Sequence, residues 1–128
     1  MSRKPAEFPD WPPSLAVGYG PYRAVCRHHV DGDTYDMLID KGFNKYGYAP
    51  IRLGGVDAPE TNRRATKVAG LAAKNFVVSV MPVGARVVLH TKPDKDDFGR
   101  YLARVTLESG ADLADLLVAA GHAVWRVY

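Results

Sequence analysis

Alternation of apolar and polar residues predicts five short strands, because a period of two is typical of a half-buried strand. These strands are expected at residues 22–30, 34–40, 51–56, 85–91 and 101–107. Residues 66–81 contain no Gly or Pro except Gly70, and their apolar positions recur at helical spacing, which predicts a helix. A shorter helix should begin after Asp112, which suits an N-cap, and end at Gly121. Residues 123–128 can add a last short strand.

The order of these elements, β-β-β-α-β-β-α, predicts an α+β fold: a small five-stranded Greek-key β-barrel of the OB type with added helices. The helix after the third strand would close one end of the barrel. Asp31-Gly32-Asp33 supplies a turn between the first two strands, and residues 41–50 are expected to form a hairpin loop. Residues 1–20 are rich in proline and predict an extended arm, which leaves residues 21–128 as the domain.

Composition narrows the class of protein only slightly. The chain has 128 residues, 47% hydrophobic and 24% charged, as expected for one globular domain. Its net charge of +3 and pI of about 9.1 suit an anionic partner such as nucleic acid. Cys26 is the single cysteine, so we expect a buried thiol and no internal disulfide. No long apolar run or export signal is evident, so a cytoplasmic protein without a membrane partner is expected.

Two carboxylates, Asp31 and Asp33, stand at the start of the second strand, in a pattern that often binds a hard cation through oxygen. A plain polar turn is the alternative. Tyr35 stands where an EF-hand loop needs a third oxygen ligand, and Thr34 comes one position too early for an aspartyl phosphatase motif. The histidine pair at 28–29 has no partner cluster for zinc.

A second polar segment follows the third strand. Arg52 interrupts an apolar strand, so its guanidinium must meet either a bound phosphate or a carboxylate in a buried ion pair. Asp57 and Glu60 flank Pro59, and the glycines at 54–55 permit the strand to end or bulge there, which would bring Asp57 to the same side as Arg52. The alternative for this segment is a surface turn leading into the helix.

A third segment places Arg100 between a charged loop, residues 92–99, and the fifth strand. Alone, Arg100 could be an ordinary surface cation. Together with the carboxylates and Arg52 at other strand ends, it indicates a site for a phosphate under attack.

Four segments carry a resemblance to a known family: Val-Asp-Gly-Asp-Thr at 30–34, Ile-Arg-Leu-Gly-Gly-Val-Asp-Ala-Pro-Glu-Thr at 51–61, Phe-Gly-Arg-Tyr-Leu-Ala at 98–103, and Leu-Ala-Asp-Leu-Leu-Val-Ala-Ala-Gly-His-Ala at 113–123. In this order, they resemble the staphylococcal (micrococcal) nuclease family, the thermonucleases. The resemblance implies an OB-fold nuclease that acts on single-stranded or frayed DNA and on RNA. It also implies cleavage of the P–O5′ bond to leave 3′-phosphates, by endo- or exonuclease action, in a monomer with no obligate protein partner.

The resemblance also implies roles for individual residues. One Ca²⁺ ion would be held by the carboxylates of Asp33 and Asp57 and the backbone carbonyl of Ala58. Glu60 would orient or deprotonate the attacking water. Arg52 and Arg100 would clamp the phosphate and stabilise developing charge, and Arg100 would also assist the leaving 5′ oxygen; these two arginines and Glu60 are the expected catalytic residues.

Several positions depart from the staphylococcal enzyme. Asp97 and Phe98 replace a lysine and a tyrosine near the nucleotide, so Phe98 keeps stacking but loses the hydroxyl. The hairpin around residues 41–50 is longer, and its aromatics either stack on bases or simply close the hairpin. Additional positive charge follows Glu60 and would contact substrate or form a solvated helix face; it comes from Arg63, Arg64 and Lys67.

The end of the chain differs as well. The sequence stops at Tyr128, where the staphylococcal enzyme continues into a third helix. Trp125 and Tyr128 are candidates for a base-stacking wall. Phe8 and Trp11 in the arm are candidates for covering the apolar surface that the third helix would otherwise protect.

Two rival functions remain open. A non-catalytic OB module that binds nucleic acid or protein would have the same fold, although such domains typically lack the acidic and arginine positions found here. A structural or regulatory protein is the second rival, and only the small size of the chain favours it.

Overall fold

A computed structural model describes residues 19–95 and 98–126 of the chain. Most of the proline-rich arm with Phe8 and Trp11, together with Asp97 and Tyr128, lies outside the described residues. The described elements are, in chain order, β1 (Tyr19–Asp31), β2 (Thr34–Asp40), β3 (Tyr46–Leu53), β4 (Val56–Asp57), α1 (Lys67–Val80), β5 (Arg86–Lys95), β6 (Tyr101–Leu107), α2 (Leu113–Ala119) and β7 (Val124–Trp125).

Five strands form a closed barrel in the order β1-β2-β3-β6-β5, which confirms the predicted architecture. β3 and β6 run parallel, from the pair Ile51–Tyr101 to the pair Leu53–Ala103, whereas the other barrel pairs are antiparallel. Alternate residues of each strand point inward and fill the barrel with apolar side chains. Because every second side chain of a strand faces the apolar interior, apolar and polar residues alternate in the sequence with a period of two.

The hairpin between β2 and β3 is shorter than expected, and the prediction of a loop over residues 41–50 is wrong in its second half. β3 begins at Tyr46, because Phe43 and Asn44 adopt positive φ values of 53° and 59° and reverse the chain within a few residues. Pro50 is tolerated because that part of β3 pairs only with β2, so the missing N–H can lie on an open edge. The extra aromatics at 46 and 48 are therefore strand residues.

A second, two-stranded sheet pairs β4 with β7, with Val56 opposite Trp125 and Asp57 opposite Val124. The break between β3 and β4 falls at the two glycines, and Gly55 has φ 83°, as the predicted bulge requires. This small sheet brings the last described residues of the chain beside Asp57.

Helix α1 packs against two segments that carry the candidate site residues. A Cβ added to Gly32 would lie 2.8 Å from Ala73 Cβ, and a Cβ added to Gly70 would lie 2.6 Å from the Glu60 carbonyl oxygen. The buried positions of α1 are Gly70, Ala73 and Val77, whereas Val68 on the apolar face expected from the sequence is 85% exposed. The helix thus clamps the turn before β2 and the segment after β4.

Helix α2 has the predicted caps. The Asp112 side chain accepts a hydrogen bond of 3.1 Å from the backbone N–H of Asp115, and Gly121 follows the helix with φ 79°. Neither helix in the described part of the chain has the length and apolar character needed to cross a membrane.

Candidate active site

A polar pocket of about 370 Å³ lies on the outer face of the barrel, where Arg52 of β3 and Leu102 of β6 are paired. All five residues predicted to act on a phosphate line it, together with the predicted Ala58 and Phe98: these five are Asp33, Arg52, Asp57, Glu60 and Arg100. Asp31, Leu102 and Arg126 complete the lining. The structure therefore brings four separate sequence segments to one opening, around residues 31–33, 52–60, 98–102 and 126.

Arg52 is the centre of the hydrogen-bond network in this pocket. Its Nη1 donates to the carbonyls of Leu53 at 2.6 Å and Val56 at 3.0 Å. Its Nη2 lies 3.1 Å from Asp57 Oδ1 and 3.2 Å from Asp33 Oδ2. Only 7% of Arg52 is exposed. The buried ion pair considered as an alternative is thus present, and it holds the two carboxylates on the same guanidinium nitrogen.

Asp33 is 5% exposed and is held by neighbouring donors. Its Oδ2 accepts a hydrogen bond of 2.8 Å from the Ala58 N–H, and its Oδ1 accepts one of 3.2 Å from the Thr34 hydroxyl. Burial raises the pKa of the Asp33 carboxyl above its usual value, although the nearby Arg52 guanidinium opposes that shift. Asp33 is therefore a buried carboxylate whose loss of water contacts is only partly offset by the positive charge of Arg52.

Asp31 connects the turn before β2 to the segment after β4. Its Oδ1 accepts hydrogen bonds from Thr61, at 3.1 Å from the backbone nitrogen and 2.7 Å from the hydroxyl. The phenol of Tyr35 donates to the Gly32 carbonyl in the same turn. These bonds fix the relative positions of the segments that carry Asp33 and Glu60.

Glu60 lies at the rim of the pocket with half of its side chain exposed. Its Oε2 is 2.7 Å from Arg63 Nε. Of the three cations predicted to follow Glu60, Arg63 therefore contacts the candidate base, whereas Arg64 and Lys67 are exposed and do not line the pocket.

Arg100, which directly precedes β6, also lines the pocket. Its guanidinium carbon lies 5.1 Å from the centroid of the Phe98 ring, and its Nη1 lies 3.4 Å from the Thr34 hydroxyl oxygen. Contact with an aromatic face favours a fixed orientation of a guanidinium. Phe98 therefore supports Arg100, in addition to being a surface on which a base can stack.

The chemistry of the pocket agrees with the comparison of this chain with known proteins. A sequence profile of the staphylococcal nuclease homologue family matches residues 50–128, a range that includes Arg52, Asp57, Glu60 and Arg100. This chain belongs to the staphylococcal nuclease family. The resemblance inferred from the four sequence segments is thereby confirmed.

One relative in this comparison is the endonuclease YhcR of Bacillus subtilis (strain 168). It is 30% identical over 128 residues, which cover 91% of this chain and 10% of that protein. The chain thus spans about a tenth of the length of that relative. Family membership and this similarity support nuclease activity in general.

Arg126 is the main site residue that the sequence did not indicate. Its Nη1 lies 3.1 Å from Asp57 Oδ2, and its backbone N–H donates to the Gly55 carbonyl at 2.8 Å. Trp125, predicted as a base-stacking residue, is 54% exposed on β7 and does not line the pocket; Tyr128 lies outside the described residues. The pairing of β7 with β4, which no local pattern encodes, decides which of these neighbours faces the pocket.

The donor set of this nuclease-family site fits a hard cation only in part. Within residues 19–95 and 98–126, no group of three or more His, Cys, Asp or Glu side chains is placed to hold a metal ion. The carboxylates that line the pocket belong to Asp31, Asp33, Asp57 and Glu60, and Ala58 lines it beside Asp57. Hard cations accept carboxylate and carbonyl oxygens and retain water ligands, so this set suits an ion whose coordination is completed by water and a phosphate oxygen.

Proposed function

We propose that the chain is a Ca²⁺-dependent phosphodiesterase that hydrolyses the P–O5′ bond of DNA and RNA and leaves 3′-phosphates. One observation carries this proposal: a single pocket contains the carboxylates Asp33, Asp57 and Glu60 and the guanidinium groups of Arg52 and Arg100. A phosphodiester needs both kinds of group, because cationic donors bind its oxygens while a carboxylate activates the water that attacks it.

Binding of the scissile phosphate depends on the arginines. Arg52 lies in β3 and Arg100 directly precedes β6, the strand paired with it, so both guanidinium groups are available to one phosphate in the pocket. Bidentate donation to phosphate oxygens fixes the orientation of the phosphorus for in-line attack. Arg52 is already oriented by two backbone carbonyls, which reduces the reorganisation required during the reaction.

Activation of water is assigned to Glu60. The oxygen of Glu60 that does not face Arg63 would accept the proton of the attacking water. The Arg63 guanidinium, 2.7 Å from the other oxygen, restrains the position of the carboxylate at the rim. As the P–O5′ bond breaks, negative charge grows on the departing 5′ oxygen and the equatorial oxygens, and Arg100 and Arg52 donate hydrogen bonds to them.

Asp33, Asp57 and the Ala58 carbonyl would hold the calcium ion. When bound there, the ion would supply positive charge to a phosphate oxygen and polarise the phosphorus. Because Arg52 Nη2 contacts both carboxylates, it keeps their oxygens directed to the same side of the pocket.

A cleavage assay with end-group analysis tests the proposal. Labelled single-stranded DNA and RNA are incubated with the protein and Ca²⁺, with Ca²⁺ plus chelator, and with Glu60→Gln. Cleavage is expected only for the unchanged protein with Ca²⁺, and the products should become 3′-hydroxyl ends after treatment with a 3′-phosphatase. Glu108→Gln, an exposed acidic residue in the turn after β6, is the matched control and should retain activity.

Two outcomes would reject the proposal. Equal cleavage by the unchanged protein and Glu60→Gln would show that this carboxylate is not the base. Nucleic-acid binding without cleavage under any metal condition would favour the non-catalytic OB module instead.

A further inference from the structure

A second pocket, of about 470 Å³, lies at the end of the barrel away from α1; we call it the barrel mouth. It is formed by the beginning of β1 and β6, the early part of β3 and the ends of β2 and β5, whereas α1 packs beside Gly32 at the opposite end of β1. Inward-facing side chains such as Ile39 and Ile51 form its floor. The barrel interior is therefore accessible to a ligand from this end, as far as the described residues show.

We propose that the barrel mouth binds a nucleobase of the same nucleic-acid strand whose phosphate lies in the candidate active site. This inference rests on the proposed function and adds a substrate-binding site to it. Three tyrosines line the mouth: Tyr22, Tyr48 and Tyr101. Aromatic rings are the surfaces on which unpaired bases stack, and such stacking does not depend on base identity.

The charges at the mouth favour an anionic ligand. Lys41 and Lys95 line it, and no carboxylate does so among the residues whose side chains the structure describes, which leave out 92–94, 96 and 97. Lys95 Nζ lies 5.4 Å from the centroid of the Tyr101 ring, so cation and aromatic face are already combined. This pairing of lysine ammonium groups with tyrosine rings matches the phosphates and bases of a single strand.

The position of Lys41 is supported by the neighbouring strand. A Cβ added to Gly47 would lie 2.7 Å from Lys41 Nζ, so the lysine lies directly over this glycine. Gly47 pairs with Ile39, which is itself part of the mouth. The absence of a side chain at residue 47 thus lets the ammonium cross the hairpin toward the opening.

Two pairs of consecutive residues connect the mouth to the candidate active site. Arg52 and Arg100 line the active-site pocket, whereas their chain neighbours Ile51 and Tyr101 line the mouth. Successive side chains of a strand point to opposite faces, so Ile51 faces into the barrel, whereas Arg52 faces the active-site pocket. Tyr48 alternates with Ile51 and is 68% exposed, so it lies at the rim of the mouth on the same face of β3 as Arg52. A flexible single strand that bends around the wall formed by β3 and β6 can occupy both openings, whereas a rigid duplex cannot follow that path.

The test compares two matched pairs of variants in the hairpin. Tyr48→Ala and Lys41→Ala alter the mouth, whereas Tyr46→Ala and Lys45→Ala alter exposed residues of the same hairpin that do not line it. Each is made in the Glu60→Gln background, and binding is measured by fluorescence anisotropy with chelator present. The probes are a fluorescein-labelled dinucleotide and a labelled single strand of about six nucleotides, within the range that one OB fold binds.

The longer probe should lose affinity about five-fold or more with Tyr48→Ala, since stacking one base contributes strongly to binding. Lys41→Ala should lose about two- to five-fold, because one phosphate contact is removed. Tyr46→Ala and Lys45→Ala should bind almost as the parent does, and the dinucleotide should not distinguish the four variants.

Equal losses in both pairs would indicate general electrostatics and overturn the inference. A lower melting temperature for Tyr48→Ala without weaker binding would also overturn it, because the tyrosine would then contribute to the stability of β3 and not to binding. If the unchanged protein cleaves DNA but all four variants bind as Glu60→Gln alone does, the mouth is rejected and the proposed function stands. Selective loss of binding in a protein that never cleaves would support the mouth and reject the phosphodiesterase.

Discussion

Arg126 Nη1 lies 3.1 Å from Asp57 Oδ2, so the carboxylate proposed as a calcium ligand is shared between an arginine of β3 and one that follows β7. Arg126 is more than half exposed, and ion pairs of that kind contribute little to stability. The loss of Arg126 should therefore change the binding of substrate and cation more than it changes stability. This arginine adds positive charge to a pocket that must accept both a phosphate and a cation.

The first prediction concerns Arg126→Ala. Removing the guanidinium should weaken the binding of substrate, raising KM, and lower the Ca²⁺ concentration needed for half-maximal activity by about three-fold, because Asp57 Oδ2 becomes available. The melting temperature should change little. Arg104→Ala is the control: this arginine pairs with Asp112 at 2.7 Å, does not line the pocket, and should leave both kinetic values unchanged. A higher Ca²⁺ requirement for Arg126→Ala would contradict the role assigned here.

The second prediction is that loss of Arg52 mainly lowers stability, whereas loss of Arg100 mainly lowers kcat. Arg52→Ala leaves the buried Asp33 carboxylate without its ion-pair partner, so the free energy of unfolding should fall by about 3–5 kcal/mol. Arg100→Ala should reduce kcat by about 100- to 1000-fold, as loss of one preorganised donor does, with a small effect on stability. Urea unfolding and steady-state kinetics separate these effects. An unchanged stability in Arg52→Ala would mean that Asp33 finds another donor.

Much of this site could be recognised in the sequence, because its residues follow strands with a clear period of two and lie in short local motifs. The parts that were missed depend on pairings between distant segments. Arg126 enters the pocket only because β7 pairs with β4, and Tyr46 and Tyr48 belong to a strand because positive φ values at 43 and 44 shorten the loop. Local periodicity contains no information on either pairing.

Gly70 is unfavourable for a helix, but its contact with a neighbouring segment explains why glycine occupies this position of α1. Glycine inside a helix is unfavourable by about 1 kcal/mol relative to alanine, so Gly70 is an unfavourable residue within α1. In the structure, the Glu60 carbonyl oxygen would lie 2.6 Å from a Cβ at this position. The glycine therefore permits close contact between α1 and the segment that carries the proposed base.

The third prediction follows from that contact. Gly70→Ala should destabilise the protein by about 1–3 kcal/mol despite the better helix propensity of alanine, because the segment after β4 must move. It should also lower kcat by displacing Glu60. Ala72→Gly, at an exposed position of the same helix, should cost about 1 kcal/mol of stability and leave kcat unchanged. A gain in melting temperature for Gly70→Ala would show that the contact relaxes without strain.

The fourth prediction concerns His29, a buried histidine near Cys26. His29 Nε2 lies 2.6 Å from the Met81 carbonyl and 3.5 Å from Cys26 Sγ. Burial lowers the pKa of His29 below its ordinary value of 6.5, and the positive charge of Lys74 acts in the same direction. Burial likewise raises the pKa of the Cys26 thiol to about 11, so this thiol stays neutral over the range in question.

A histidine with a lowered pKa in the folded state should make the protein less stable in acid. Above pH 6.5 the side chain is neutral in both states and has no effect, whereas below that pH the unfolded chain binds a proton that the folded chain does not. The free energy of unfolding should therefore fall between about pH 6.5 and 5.5, by at most about 1.4 kcal/mol per pH unit. The raised pKa of Asp33 acts in the opposite direction on stability, since protonation of its carboxyl favours the folded state as the pH falls further.

Urea unfolding of the parent and of His29→Gln across this range isolates the effect of the histidine, because the contribution of Asp33 cancels in the difference. The parent should lose more stability than the variant on acidification, and parallel curves would show that His29 takes up its proton equally in both states.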